Sequence, residues 1–142
     1  MRPRDAGPGD PIASFERTVE RGDLVTYAEL SGDRNPLHQD DAAARAAGFD
    51  RVIAHGMFTM AHLAACLDRW LDGEGDVARL SAQFRSPVSV GETIVAGGRV
   101  RSVDHEAGTL TAELWVTVER DGATEHAVRK GEAEIRLRQS AS

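Results

Sequence analysis

The sequence predicts an α+β domain in which an antiparallel sheet wraps one buried helix. Three observations predict it. The stretch from His55 to Leu71 is apolar nearly all round, which suits a helix surrounded by protein. The chain after it alternates apolar and polar residues with period two, the mark of antiparallel strands covered on one face. The turn signals Glu106-Ala107-Gly108 and Asp121-Gly122 join those runs as hairpins.

A chain of 142 residues with 41% hydrophobic content has material for one core. Residues 1–11 carry Pro3, Gly7, Pro8, Gly9 and Pro11 and are expected to form a flexible tail. The domain then runs over 12–138, and 139–142 is a short polar tail. Ser14 to Val19 reads as a short strand. From Asp23 on, Leu24, Tyr27, Ala28 and Ser31 share one helical face, and Gly32 is a stop signal. Asp40 to Ala47 reads as a short helix, opened by acids and closed by Gly48. In the long helical stretch, Met57, Phe58, Met60, Ala61, Leu63, Ala64, Ala65, Cys66 and Leu67 leave almost no polar face. Asp72-Gly73-Glu74-Gly75-Asp76 breaks the chain. Leu80, Ala82 and Phe84 begin the alternation. Leu110, Ala112, Leu114, Val116 and Val118 continue it, followed by Gly131, Ala133, Ile135 and Leu137.

Composition narrows the function. With 17 basic and 23 acidic residues the net charge is −6, and the arginines are scattered among acids. No basic stripe for nucleic acid is present. No run approaches the roughly 18–20 apolar residues of a membrane helix. The N-terminus shows no apolar signal region, and Cys66 is the lone cysteine, so a cytoplasmic protein without disulfides is expected.

The densest cluster of reactive residues is Ser31-Gly32-Asp33-Arg34-Asn35-Pro36-Leu37-His38. Pro36 disfavours helix at Asn35, so Asp33 and His38 fall on an irregular loop past a helix. A carboxylate and an imidazole that converge there offer one group to take a proton and one to give it. By pattern alone the same residues also read as an Asx turn beside a surface histidine. A second cluster, Ala54-His55-Gly56-Met57, opens the buried helix. Gly56 lets a ligand approach free N–H groups at the positive end of the helix dipole. It reads equally as a glycine needed for close packing. His55 and His62 suit core or supporting roles, His105 sits by a turn, and with His126 they show no metal-ligand spacing. Asp72 to Asp76 lacks the spacing of a calcium loop, so no metal is expected. Cys66 reads as a small buried hydrophobe. Trp115, on the polar side of its strand, hints at a subunit contact.

Leu30 to His38, followed by Ala54-His55-Gly56-Met57, resembles the signature of the MaoC-like (R)-specific enoyl-CoA hydratases, or hydratase 2. Phe84-Arg85-Ser86-Pro87-Val88 with Gly91 resembles the same family. The resemblance spans roughly 14 to 137 and implies the hot-dog fold, a curled antiparallel sheet around one long helix. It implies reversible hydration of trans-2-enoyl thioesters, carried by CoA or acyl carrier protein, to (3R)-hydroxyacyl thioesters. Asp33 and His38 match the family's catalytic pair, Asn35 its loop-holding asparagine and Gly56 its oxyanion donor, with His55 in support. A serine that some relatives carry two turns into the helix is missing from Leu63-Ala64-Ala65. No cofactor is implied. A homodimer is expected, with a heterodimer as the alternative. The readings left beside the enzyme are a non-catalytic thioester-binding subunit and a hot-dog thioesterase; intact Asp33 and His38 count against both.

Overall fold

The strict alternation from Leu110 to Val118 becomes a central strand whose Leu110, Ala112, Leu114, Val116 and Val118 side chains are buried. A computed structural model of the chain describes residues 2–138. The elements in order are β1 (Pro11–Thr18), α1 (Arg21–Ser31), α2 (Asp41–Ala46), α3 (Gly56–Leu71), β2 (Gly75–Phe84), β3 (Thr93–Asp104), β4 (Thr109–Arg120) and β5 (Ala123–Leu137). Short 3-10 turns occupy Pro3–Asp5 and Pro36–His38. The strands make one antiparallel sheet, ordered β1-β3-β4-β5-β2. Leu63, Leu67 and Leu71 of α3 share one core with Ile94, Leu110, Leu114 and Ile135. This is the α+β arrangement of sheet around helix that the sequence predicts. No helix among the described residues is long and apolar enough to cross a membrane.

Three differences from the sequence reading have clear causes. Residues 2–10 are packed rather than loose: Ala6 is buried, Gly9 N–H donates to the Val100 carbonyl at 2.8 Å, and Arg4 pairs with Glu74 at 2.8 Å. Proline and glycine there shape a turn that docks on the sheet; the expected 139–142 tail lies outside the described residues. Strand β3 is not among the elements read from the sequence, and Gly97-Gly98 interrupts its apolar pattern. Gly98 is a steric necessity, and Gly97 lies in a tight contact. A Cβ on Gly98 would sit 2.3 Å from the Glu113 carbonyl oxygen, and one on Gly97 would sit 3.2 Å from Trp115 Nε1. Trp115 pairs across the ladder with Gly97 and is half-buried against it, so the chain's own glycine accounts for its place on the outer face. Strand β5 starts well before Gly131, but the bulge at Lys130 (φ 51°) shifts its phase and hides the first half.

Gly98→Ala is expected to destabilise the fold by about 1–3 kcal/mol through overpacking. Urea denaturation checks this, and an unchanged midpoint would contradict the close approach.

Helix α3 also ties down strand β1. The β1–β3 register shifts between Ile12 and Phe15. In that stretch His62 Nε2–H donates to the Phe15 carbonyl at 2.8 Å and Cys66 Sγ–H to the Ala13 carbonyl at 3.4 Å. Burial, aided by the charge of Arg17 and opposed by the Phe15 carbonyl, pushes the His62 imidazole below its ordinary value; burial pushes the Cys66 thiol up. The expectation that α3 is surrounded on all sides is not met within one chain. Thr59, His62, Leu63, Cys66, Leu67 and Leu71 are buried, but Met57 is 57% exposed and Ala61 is open.

Candidate active site

Helix α1 stops at Gly32, whose φ of 78° is the left-handed geometry that glycine adopts freely; its N–H donates to the Ala28 carbonyl. A relay of short bonds then shapes the loop. Asp33 N–H donates to Ser31 Oγ at 3.1 Å, Asn35 N–H to Asp33 Oδ1 at 3.3 Å, and Leu37 N–H to Asn35 Oδ1 at 3.1 Å. Asn35 thus caps the 3-10 turn, Pro36 opens it, and the His38 N–H returns to the Asn35 carbonyl at 3.0 Å. The Asx-type turn read from the sequence is present here, and it brings Asp33 and His38 to one side of the loop.

His38 Nδ1 lies 2.8 Å from the Ile53 carbonyl oxygen. A carbonyl only accepts, so Nδ1 carries the proton and the neutral ring keeps a lone pair on Nε2. His55 Nε2–H donates to the Asp33 backbone carbonyl at 3.0 Å, tying the start of α3 to the loop. The two imidazoles stack with centroids 3.9 Å apart. Tyr27 covers His55 at 4.8 Å and meets Phe58 edge-on at 6.1 Å. His55 is buried and its Nδ1 has no hydrogen-bond partner. Asp33 is exposed and His38 half-buried.

Polar atoms of Asp33, His38 and His55 all lie within 4.8 Å of one another. These residue types can ligate a metal as well as move a proton. One nitrogen of each ring is bonded to a carbonyl, which leaves the other for either role.

Gly56 is the first residue of α3. The His55 carbonyl accepts from Phe58 N at 3.0 Å and Thr59 N at 3.4 Å, and no side chain caps the end. The Gly56 and Met57 N–H groups are therefore the free donors of the helix start. Packing does not demand a glycine here: its φ is not positive, and a Cβ would meet only the Phe84 ring, at an ordinary 3.7 Å.

A mainly apolar groove of about 290 Å³ begins at the same aromatic wall of Tyr27 and Phe58, with Arg17, Asp23 and His62 also on its lining, and holds none of the clustered residues itself. A larger groove of about 1050 Å³, edged by Arg51, Glu92, Glu119 and Arg120, contains none of the clustered residues.

Asp33, Asn35, His38 and His55 thus lie together, and Gly56 sits at the helix start beside His55. Sequence reasoning missed Tyr27 and Phe84 as neighbours of the site: Tyr27 carried only a periodicity signal, and Phe84 entered only through its strand and the family-like run it opens. It also missed the Ile53 carbonyl, a backbone group that no residue type announces.

The model of the family described as "MaoC like domain" matches residues 5–121. An (R)-specific enoyl-CoA hydratase of Rhodospirillum rubrum is 33% identical over 107 residues, 75% of this chain and 74% of that protein. 3-Hydroxyacyl-thioester dehydratase Y of Mycobacterium tuberculosis is 36% identical over 135 residues, 87% of this chain and 46% of that protein. A solved (R)-hydratase from A. caviae, described as involved in PHA biosynthesis, superposes with a TM-score of 0.84 at 29% identity, covering 94% of this chain and 98% of that one. These relatives are hydro-lyases, and the superposition makes the curled sheet around α3 a hot-dog fold. The matched stretch holds the loop, the stacked imidazoles and the helix start alike, and the chain belongs to the MaoC-like domain family.

Proposed function

We propose that this chain is a hydro-lyase that adds water reversibly to trans-2-enoyl thioesters, giving (3R)-hydroxyacyl thioesters. The observation that carries the reading is the convergence of the Asp33 carboxylate with His38, whose Nδ1 proton is fixed by Ile53. In hydration the Asp33 carboxylate takes a proton from water as its oxygen bonds to C3. The alkene electrons move onto the thioester oxygen, where the Gly56 N–H stabilises them. Collapse of that enolate takes a proton from His38 Nε2 onto C2. Dehydration reverses each step: His38 in its neutral form, whose tautomer the bond to Ile53 fixes, removes the C2 proton with Nε2, and protonated Asp33 releases the hydroxyl as water. In either direction one proton passes in at one member of the pair and out at the other. Asn35 and His55 hold the loop. The apolar groove beside Tyr27 supports an acyl substrate.

The test is an assay with crotonyl-CoA and longer enoyl-CoA substrates, followed by chiral analysis. The expected product is the (3R)-hydroxyacyl thioester, the hand named for the (R)-specific relatives. Mainly (3S) product would reject the reading, and release of free CoA by hydrolysis would favour a thioesterase.

We further propose a homodimer, with a heterodimer as the alternative. Strand β2 is an edge strand with exposed Val77 and Phe84, and Met57 lies uncovered at the start of α3. An unpaired apolar edge is a template for a second strand, and a two-fold contact satisfies both copies at once. Since Phe84 packs beside Gly56, a partner on this edge abuts the site. Sedimentation at micromolar concentration is expected to show a dimer whose dilution abolishes activity. An active species near 15.3 kDa would refute it.

A further inference from the structure

We infer that Arg120, the last residue of β4, is a positioning residue for His38 and acts through the chain segment that holds the imidazole. The inference rests on the assignment of His38 to catalysis. The Arg120 guanidinium grips Glu92 with two bonds, Nε to Oε2 at 2.6 Å and Nη2 to Oε1 at 2.9 Å. It also donates to Ser86 Oγ at 2.6 Å, to Glu125 Oε2 at 2.8 Å and to the Pro87 carbonyl. Glu92 Oε1 accepts in addition from the Ser89 N–H at 2.8 Å. One planar fork thus gathers the β2–β3 connection, and the Glu92 side chain beneath it is only 11% exposed. Burial opposes the charge on Glu92, but the bonds from Arg120 and Ser89 outweigh it and hold the carboxyl below the usual range.

That connection is one of two rails for residues 52–54. Ala54 N–H donates to the Val88 carbonyl at 2.7 Å, and Val90 N–H to the Val52 carbonyl at 2.9 Å. The other rail comes from the catalytic loop side: Ile53 N–H donates to the Leu37 carbonyl at 3.2 Å, and Val52 N–H to Asp41 Oδ1 at 3.2 Å. Between the rails, the Ile53 carbonyl takes the Nδ1 proton of His38. A shift of residues 86–92 therefore moves the acceptor that sets the tautomer and aim of the ring. Lysine cannot replace this fork, because a point-like ammonium does not span Ser86, Pro87 and both Glu92 oxygens together.

The test compares Arg120→Met and Arg120→Lys with the unaltered protein by steady-state kinetics and by nitrogen NMR of the histidine side chains. His38→Ala identifies the His38 signal. In Arg120→Met, kcat is expected to fall about tenfold with KM little changed, since small misplacement of a reacting group is costly. The neutral His38 ring is expected to pass from the Nδ1–H form to a mixture of tautomers. Arg120→Lys, which keeps the charge and safeguards the test if the methionine variant does not fold, is expected to resemble Arg120→Met more than the unaltered protein. A His38 tautomer unchanged in the folded variants overturns the inference, whatever the melting temperature does. A changed tautomer with unchanged kcat upholds the link to Arg120 and removes His38 from the chemistry instead.

Discussion

Asp33→Asn and His38→Ala are each expected to lower turnover by about two to three orders of magnitude, the usual worth of a positioned acid or base. Asn keeps the Asp33 shape and its bond from the Asn35 N–H but cannot take a proton from water. Ala at 38 removes the ring whose Nε2 is the proposed proton donor and acceptor at C2. Both residues lie on the loop after α1, and neither is in the buried core, so the folded state survives either change. The double variant is expected to be little worse than either single one, because each step of the proposed mechanism needs both residues. Near-normal hydration of crotonyl-CoA by either single variant would remove the pair from the mechanism.

Gly56→Pro is expected to cost about 10²–10³ in turnover, the loss typical of one oxyanion donor. The substitution deletes the N–H and little else. Gly56 is the first residue of α3, the helical position where proline is favoured. His55 before it has φ −60° and ψ 140°, the extended geometry that a following proline requires. Gly56→Ala keeps the N–H, and its methyl group meets Phe84 at an ordinary distance. It should therefore retain much more activity than the proline variant. Circular dichroism checks that α3 persists in both, and equal turnover in the two variants would take the Gly56 N–H out of the chemistry.

The parts of the molecule legible in the sequence are those in which one residue type does one job. Leu110 to Val118 alternates because one face of β4 is core, and Gly32 ends α1 because the left-handed geometry there suits glycine. Asp33 and His38 stood out because Pro36 had already removed the helix from beneath them. The parts that stayed hidden depend on pairs distant in sequence. Gly98 reads as a break until Glu113 is placed across from it, and β5 loses its period at Lys130. Residues 2–10 look loose until Glu74 and Val100 supply their partners. Arg120 is one arginine among many until its five contacts are seen.

The Ile53 carbonyl fixes the tautomer of His38, yet the Ile53 side chain has no part in doing so. Side-chain replacement at this position is therefore blind to the function performed there. Valine or leucine at 53 keeps the same carbonyl, so a scan of substitutions scored by activity would rate the position as tolerant. What exposes it is a change to the atom itself. An ester in place of the peptide bond between Ile53 and Ala54 weakens the acceptor without altering any side chain. It also deletes the Ala54 N–H that holds the carbonyl against Val88.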